Sequence, residues 1–365
     1  MLEEGRISYK QLILLILVSR SIITITYLPA LNEPPANQDS WIASLLYYPI
    51  QLLIALPIYF LWKRFPDQTI IQYSQTLFGK LGKVFGVLIL WYFLHSTALA
   101  LSQYGFFLTT AVMPETPILF FALTLVLISA YAATKGLEVI GRLSELFTPL
   151  ILFAMITIFF LLFNNMNFKI LTPVLEKGIL PILQGSWIYN GRSIEVLELA
   201  MLLPYLNTPK KVKSVFFISF ALVSVFFVII TIPVLTVFGV TEAQSRALPV
   251  FSVIRLIRVG DFLERIESVH MAIWTLGAFI KVTINYYLIV LGLSQLCNLK
   301  EYKPLILPIG TILIPLSLLV GPSIVELREF LSYKTLVPYS YFFILFLPCL
   351  LLLAAIVRKK GVTSR

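Results

Sequence analysis

Polar and charged side chains interrupt two apolar segments of this chain, and these interruptions carry the residue types suited to ligand binding. In the segment between Pro181 and Pro204, residues 184–195 read Gln-Gly-Ser-Trp-Ile-Tyr-Asn-Gly-Arg-Ser-Ile-Glu. In the first segment, residues 19–24 read Ser-Arg-Ser-Ile-Ile-Thr. Backbone within lipid must find its hydrogen bonds internally, so an interrupted span is tolerated where it packs in protein or lines a cavity. Paired interruptions therefore predict a small-molecule site near the middle of the membrane.

The longer interruption supplies most of the candidate ligand contacts. Gly185, Ser186, Asn190 and Gly191 are predicted to form an unwound stretch whose free amide and carbonyl groups bind the two ends of a zwitterion. The half-helix that follows begins near residue 193, and its N-terminus favours a carboxylate. An ordinary kinked helix is the alternative interpretation.

Two carboxylates follow this interruption. Glu195 and Glu198 are three residues apart and therefore share a helical face. A carboxylate inside a span is costly and usually faces a cavity or a partner. Glu195 is a candidate ligand contact or a structural partner of Arg192, whereas Glu198 is a candidate for coupling or gating, with a structural role favoured.

Arg20 is the candidate cation of the first interruption, and Ser19, Ser21 and Thr24 are the polar residues beside it. Its guanidinium is suited to binding a ligand carboxylate bidentately. Two alternatives remain open: Arg20 pairs with Glu195 across the bundle, or it extends to the inner interface.

Three residues of other spans have less specific signals. His95 is a candidate ligand contact or proton carrier, although a hydrogen-bonded interior histidine is the plainer interpretation. Lys281 lies near the predicted midplane, where a lysine needs a carboxylate, a carbonyl or water. It is a candidate for coupling, as a fixed positive charge in place of a coupling cation, or for a salt bridge. Trp274 is expected to belong to the interfacial aromatic belt.

Composition identifies an integral membrane protein. Hydrophobic residues make up 59% of the chain, charged residues 13%, and the mean hydropathy is +0.91. Soluble domains average about 45–50% apolar and 25% charged residues. The net charge of +10 comes from basic residues in short connections rather than on one face, which argues against nucleic acid as a partner.

Ten apolar segments are predicted to cross a hydrocarbon core about 30 Å thick. Their boundaries are residues 9–30, 40–62, 84–110, 117–134, 145–163, 179–205, 214–239, 267–297, 304–320 and 337–357. Lysine and arginine are concentrated in the connections on the side of the N-terminus, which predicts that both termini are cytoplasmic. Residues 1–365 are interpreted as a single transmembrane domain.

Ten spans divide into two sets of five, and the interrupted first and sixth spans then open the two halves. Because five is an odd number, the second half must have the inverted topology. The predicted fold class is therefore all-α integral membrane, with a LeuT-like 5+5 inverted repeat in which helices 1 and 6 are broken.

Enzyme, metal and cofactor chemistry find no support in the sequence. There is no glycine-rich phosphate loop, no metal-ligand cluster and no soluble catalytic domain. Cys297 and Cys349 lie in or beside apolar runs without metal-like spacing, so buried reduced thiols are expected. We expect no metal and no cofactor.

An ordered set of short motifs resembles the spore germination permeases, the B subunits of GerA-type nutrient germinant receptors. That family is a branch of the amino acid–polyamine–organocation transporter superfamily. The matching motifs run along the whole chain and are Ile7–Leu12, Gln38–Ile42, Arg64–Ile70, Leu77–Lys83, Pro173–Leu175, Pro204–Leu206, and Phe262–Ser268 with Trp274.

The resemblance implies a sensory function. It implies a subunit in the spore inner membrane that binds a small nutrient, with an amino acid expected, and signals to an A-type membrane subunit and a C-type lipoprotein subunit. The alternative is a proton-coupled secondary transporter of an amino acid or amine, driven through Glu195, His95 or Lys281. The same residues serve both functions.

Overall fold

Helices form nearly all of the secondary structure in the computed structural model of this chain, which describes residues 4–27, 36–257 and 266–361. The helices are α1 (Tyr9–Ser21), α2 (Thr24–Tyr27), α3 (Ser40–Arg64), α4 (Ile70–Phe78), α5 (Gly82–Ala111), α6 (Ile118–Thr134), α7 (Leu137–Leu161), α8 (Leu180–Asn190), α9 (Glu195–Leu202), α10 (Val212–Ser245), α11 (Pro249–Ile254), α12 (Glu267–Leu296), α13 (Ile306–Leu319), α14 (Ile324–Phe330), α15 (Leu336–Tyr341) and α16 (Leu347–Val357). A π-helical turn, Phe342–Phe346, joins the last two.

Six helical stretches in the described residues are long and apolar enough to cross a membrane, or seven if the bent pair α13 and α14 is one span. The six are Ser40–Arg64, Ile70–Ala111, Leu137–Leu161, Pro209–Ser245, Glu267–Leu296 and Leu336–Val357. The other predicted spans correspond to shorter helices: the pairs α1–α2 and α8–α9, and the single helices α6 and α13. The count of ten therefore stays a prediction. Residues 28–30 of the first predicted span, and residues 262–265 of one motif, lie outside the described residues.

Local sequence explains where several helices begin. Ser8 and Gln11 form a capping box at the start of α1, and Thr69 and Gln72 form another at the start of α4; each box satisfies two amide groups that the first turn leaves unpaired. The helix α4 is an addition to the predicted spans. The helix that corresponds to the fifth predicted span (145–163) is α7, which begins at Leu137. Its first two turns carry the charged residues Glu138 and Arg142, so the apolar segment predicted from the sequence begins later than the helix does.

The central element of the bundle is α12. In its most apolar stretch 83% of the residues are buried, against 33–56% in the other long helices. It packs against α1, α5, α6 and α7, while α3 packs against α8 and α10. A helix that is apolar and buried on nearly every face has few places for polar side chains. In α12, His270, Trp274 and Lys281 find partners across the bundle. Asn285 is buried without a hydrogen-bond partner among the described residues.

A backbone contact in extended conformation joins the segment before α1 to the segment after α9. Ile7 pairs in parallel with Leu206, just beyond the end of α9: the Ile7 amide donates to the Tyr205 carbonyl at 3.1 Å, and the Asn207 amide donates to the Ile7 carbonyl at 3.0 Å. Nearby, Gln295 of α12 donates to the Tyr205 hydroxyl at 3.1 Å. The first residues of the chain are thereby joined to the second interrupted segment.

A candidate ligand cavity at two helix breaks

The first break separates α1 from α2 and consists of Ile22 and Ile23. Helix breaks leave carbonyl groups without intrahelical partners, and here side chains of α12 occupy them. Lys281 Nζ donates to the Ser19 carbonyl at 2.7 Å, and Trp274 Nε1 donates to the Ile22 carbonyl at 2.9 Å. This break is therefore stabilised within the protein, as the bilayer requires.

The second break separates α8 from α9 and consists of residues 191–194. The guanidinium of Arg20 donates through Nη2 to the Tyr189 carbonyl at 2.6 Å and through Nε to Ser193 Oγ at 3.1 Å. The Tyr341 hydroxyl donates to the Trp187 carbonyl at 2.9 Å. Arg20 thus joins the first broken segment to the second.

A buried charge cluster lies between the two breaks. Lys281 Nζ is 3.0 Å from Glu195 Oε1, and Arg20 Nε is 3.9 Å from Glu195 Oε2. The side chains of Arg20 and Glu195 are only 5% and 1% exposed. Burial strengthens each Coulomb interaction but makes an unpaired charge costly, so Glu195 holds the two cations in place. The guanidinium of Arg192 is directed elsewhere, to the Leu331 carbonyl at 2.7 Å.

Glu198 lies one turn further along α9 and is fully buried. Its Oε1 accepts a hydrogen bond from Ser19 Oγ at 2.7 Å, whereas its Oε2 has no hydrogen-bond partner within the described ranges. Ser19 therefore contacts both a carboxylate and, through its carbonyl, the ammonium of Lys281.

A cavity of about 500 Å³ opens beside this cluster. The described residues that line it are Arg20, Ile23, Tyr27, Tyr92, Ser96, Leu99, Gln103, Arg192, Ile194, Ala247, Lys281, Ile324, Val325, Leu327, Arg328, Leu331, Ser332, Leu336 and Ser340. Arg20 and Lys281 are the cations that α1 and α12 contribute, and no carboxylate occurs among these lining residues. Gln103 Oε1 is buried in the wall, and no described group donates a hydrogen bond to it. The cavity is therefore suited to an anionic group on the side of the cluster.

Several predicted contacts lie away from this cavity. Ser21 and Thr24 are buried but are not among the lining residues. His95 is also outside the lining: its Nδ1 is 3.1 Å from the Tyr339 hydroxyl, and its ring contacts Phe330 and Trp91. As ligand contacts, these three residues stay predictions, and so do Ser19 and Glu195 in the charge cluster and Gly191 at the second break, because none of them lines the cavity.

The prediction of an unwound stretch is wrong for three of its four residues and holds only for Gly191. Gly185, Ser186 and Asn190 are helical within α8, and the break begins only at Gly191. Gly185 is explained by packing, because a Cβ there would lie 3.2 Å from the Cβ of Ala43 in α3. Asn190 donates back to the Ser186 carbonyl at 2.9 Å, so its amide nitrogen serves the helix.

The sequence interpretation missed two residues that stabilise the first break. Trp274, expected at the interface, is 2% exposed, and His270 Nε2 lies 2.8 Å from the Ile25 carbonyl. The signal was the spacing of His270, Trp274 and Lys281, which puts all three on one face of α12. In the described part of the chain no group of three His, Cys, Asp or Glu residues is arranged to hold a metal ion.

Comparison with known proteins decides the family. A family profile described as "Spore germination protein" matches residues 6–323. The chain belongs to this family. Spore germination protein KB of Bacillus subtilis (strain 168) is 30% identical over 98% of this chain and 97% of its own length. Spore germination protein YndE of the same organism is 27% identical over 90% of each chain, so the resemblance seen in the sequence motifs is confirmed.

A solved structure shares the fold. It is a nucleobase-cation-symport-1 family transporter in a closed conformation with bromovinylhydantoin bound, with a TM-score of 0.63 and 13% identity over 93% of this chain and 78% of that one. At this identity the likeness concerns the fold alone. Together with the apolar helices, it makes this spore germination protein a multi-pass membrane protein with a transporter fold.

Proposed function

We propose that this chain is the nutrient-sensing subunit of a GerA-type spore germinant receptor, and that its cavity binds a free amino acid. The observation that carries the proposal is the cavity at the two helix breaks, with Arg20 and Lys281 in its lining. Its volume of about 500 Å³ falls within the range of roughly 300–1,000 Å³ typical of small-molecule sites.

The side chains around the cavity suit both ends of an amino acid. Within the described residues, Arg20 uses Nε and Nη2 for protein contacts, which leaves Nη1 for a ligand carboxylate. Gln103 Oε1 is an acceptor in need of a donor, and a ligand ammonium supplies one. Leu99 and Leu336 give the apolar surface for a side chain.

We extend the proposal to the architecture and location. The interruptions between α1 and α2 and between α8 and α9 support two inverted halves of five spans each, a total of ten. The distribution of lysine and arginine supports cytoplasmic termini, and family membership supports the spore inner membrane. An A-type membrane subunit and a C-type lipoprotein then receive the signal.

Signalling requires that the ligand distinguish two arrangements of the bundle. A ligand shifts such an equilibrium only by its difference in affinity for the two states. Arg20 and Lys281 connect α1, α9 and α12 through Glu195, so a carboxylate that competes for these cations would change the contacts among those helices.

A panel experiment tests the ligand class. Purified protein in lipid nanodiscs is heated with each of the twenty common L-amino acids, and the midpoint of unfolding is followed by intrinsic fluorescence. A ligand at 100 times its dissociation constant stabilises by about 2.7 kcal/mol. We expect at least one amino acid to raise the midpoint for wild type. Leu99→Trp, which fills the cavity, should abolish the shift, and Leu119→Trp on the exposed face of α6 should keep it. No shift with any amino acid would refute the proposed ligand class.

The second candidate is a proton-coupled transporter of an amino acid or amine. It is favoured by Glu198, a buried carboxyl group with one oxygen lacking a described partner, because such a group can take up and release a proton within the bundle. Uptake into proteoliposomes separates the two functions. Accumulation of the amino acid driven by a pH gradient, and lost in Glu198→Gln, would establish transport and overturn a purely sensory role.

A further inference from the structure

One face of α12 packs against the first helix break and contacts its backbone carbonyl groups. His270, Trp274, Gly277 and Lys281 follow at intervals of four, three and four residues, so they form a single stripe along the helix. The first, second and fourth of these residues contact carbonyl groups that are three residues apart around the break: Ile25, Ile22 and Ser19 in that order.

The chemistry of the contacting groups fixes which atom donates each of the two aromatic hydrogen bonds. Trp274 Nε1 can only donate, and it is 2.9 Å from the Ile22 carbonyl. A carbonyl can only accept, so the 2.8 Å contact between His270 Nε2 and the Ile25 carbonyl requires a proton on Nε2. Both side chains are buried, so these two donors are shielded from solvent.

Gly277 allows α12 to approach the break. A Cβ on this residue would lie 2.1 Å from Cδ1 of Ile22, and 2.7 Å from its Cγ1. The Ile22 side chain is 2% exposed and fits against the helix only because the glycine has no side chain. The close approach brings the Ile22 carbonyl within reach of Trp274, three residues earlier on α12.

We propose that His270 and Trp274 are positioning residues that hold the first break in its present geometry. They act through the backbone of Ile22 and Ile25, and the break in turn orients Ile23 and Tyr27, which line the cavity. The consequence for ligand affinity rests on the function proposed above, whereas the effect on the backbone does not.

Conservative substitutions separate the hydrogen bonds from packing. Trp274 stacks on Tyr104 and packs on Phe107, with ring centroids 5.3 and 4.5 Å away, so Trp274→Phe keeps an aromatic ring and removes the donor. His270→Leu removes the other donor, and His270→Gln keeps an N–H at a similar reach. Trp91→Phe, at a half-exposed position of α5, is the matched control.

Hydrogen–deuterium exchange in nanodiscs measures the result without any ligand. Two amides report on the two sides of the break: Ile22 donates to the Val18 carbonyl at 3.2 Å, and Tyr27 donates to the Ile23 carbonyl at 3.1 Å. We expect exchange in peptides covering residues 16–27 to become about tenfold faster in Trp274→Phe and His270→Leu, the factor that corresponds to roughly 1.4 kcal/mol. His270→Gln and Trp91→Phe should resemble wild type.

Peptides covering residues 180–205 distinguish positioning from general packing. Unchanged exchange there supports the proposal, and an equal acceleration there would overturn it, as would wild-type exchange at residues 16–27 in both donor variants. If the local acceleration occurs but wild type binds no amino acid, the positioning role stands and the proposed function fails. Where an amino acid does bind, Trp274→Phe and His270→Leu should weaken it several-fold, and His270→Gln should restore the affinity.

Discussion

Replacing Glu195 by glutamine tests the buried charge cluster most directly. In wild type, Glu195 Oε1 contacts Lys281 at 3.0 Å, while Oε2 lies 3.9 Å from Arg20. Glu195→Gln leaves both cations buried without their negative charge. Removing one partner of a buried ion pair costs about 3–5 kcal/mol. Because glutamine keeps an oxygen that can accept from Lys281, we expect the lower end, about 3 kcal/mol.

The companion variant Lys281→Met removes the cation and keeps an apolar side chain of similar length. Alone, it should cost a similar amount, since Glu195 then has only the more distant Arg20. The double variant Glu195→Gln/Lys281→Met has neither charge, so its destabilisation should fall short of the sum of the two single effects by about 1–3 kcal/mol. The ligand-induced stabilisation, in contrast, should not return, because Lys281 lines the cavity.

Thermal unfolding in nanodiscs provides the measurement. With an unfolding entropy of about 2.1 cal/mol/K per residue, a loss of 3 kcal/mol in a chain of 365 residues lowers the midpoint by roughly 4 °C. Glu138→Gln is the control: Glu138 lies 3.6 Å from Arg142, and both side chains are exposed. Glutamine keeps an oxygen that can accept from the Arg6 amide, 3.3 Å from Glu138 Oε1, so less than about 1 kcal/mol is expected. Strict additivity of the two single substitutions would show that the 3.0 Å contact carries no coupling and would refute the reasoning.

Two further substitutions test the breaks. Arg20→Lys keeps the charge but loses the planar guanidinium that donates to the Tyr189 carbonyl and to Ser193 Oγ. We therefore expect a tenfold or greater rise in the amino acid concentration that gives a half-maximal thermal shift. An unchanged concentration would exclude the guanidinium from the site. Gly191→Ala puts a Cβ 2.8 Å from Val337 and 2.9 Å from Tyr341, so we expect about 1–3 kcal/mol of destabilisation from overpacking. Partial recovery in Gly191→Ala/Val337→Ala would confirm the clash as the cause, and full stability of Gly191→Ala would contradict it.

Hydropathy predicted the long helices closely because a span needs about twenty apolar residues, a pattern that tertiary contacts hardly change. The predicted segment 267–297 is α12 (Glu267–Leu296), and 84–110 is α5 (Gly82–Ala111). The nine-residue helix α4 lay below that length, although its capping box at Thr69 and Gln72 was present in the sequence.

The site was predictable in its residue types but not in its pairings. Arg20 was expected to bind ligand, to pair with Glu195 or to reach the interface, and the structure shows the pairing. Lys281 was expected to need a carboxylate, but only the packing of α12 against α1 and α9 identifies Glu195 and the Ser19 carbonyl as its partners. The position of the second break was misjudged because Gly185 reads as a helix breaker, whereas it serves the close approach of α3.

The pairing of Ile7 with Leu206 has a practical consequence for experiments on this protein. Because two backbone hydrogen bonds join Ile7 to the chain just after α9, a displacement of that half-helix that keeps these bonds moves the segment around Ile7 with it. A fluorophore attached at residue 4 or 5 would therefore report in real time on rearrangements of α9 within the bundle.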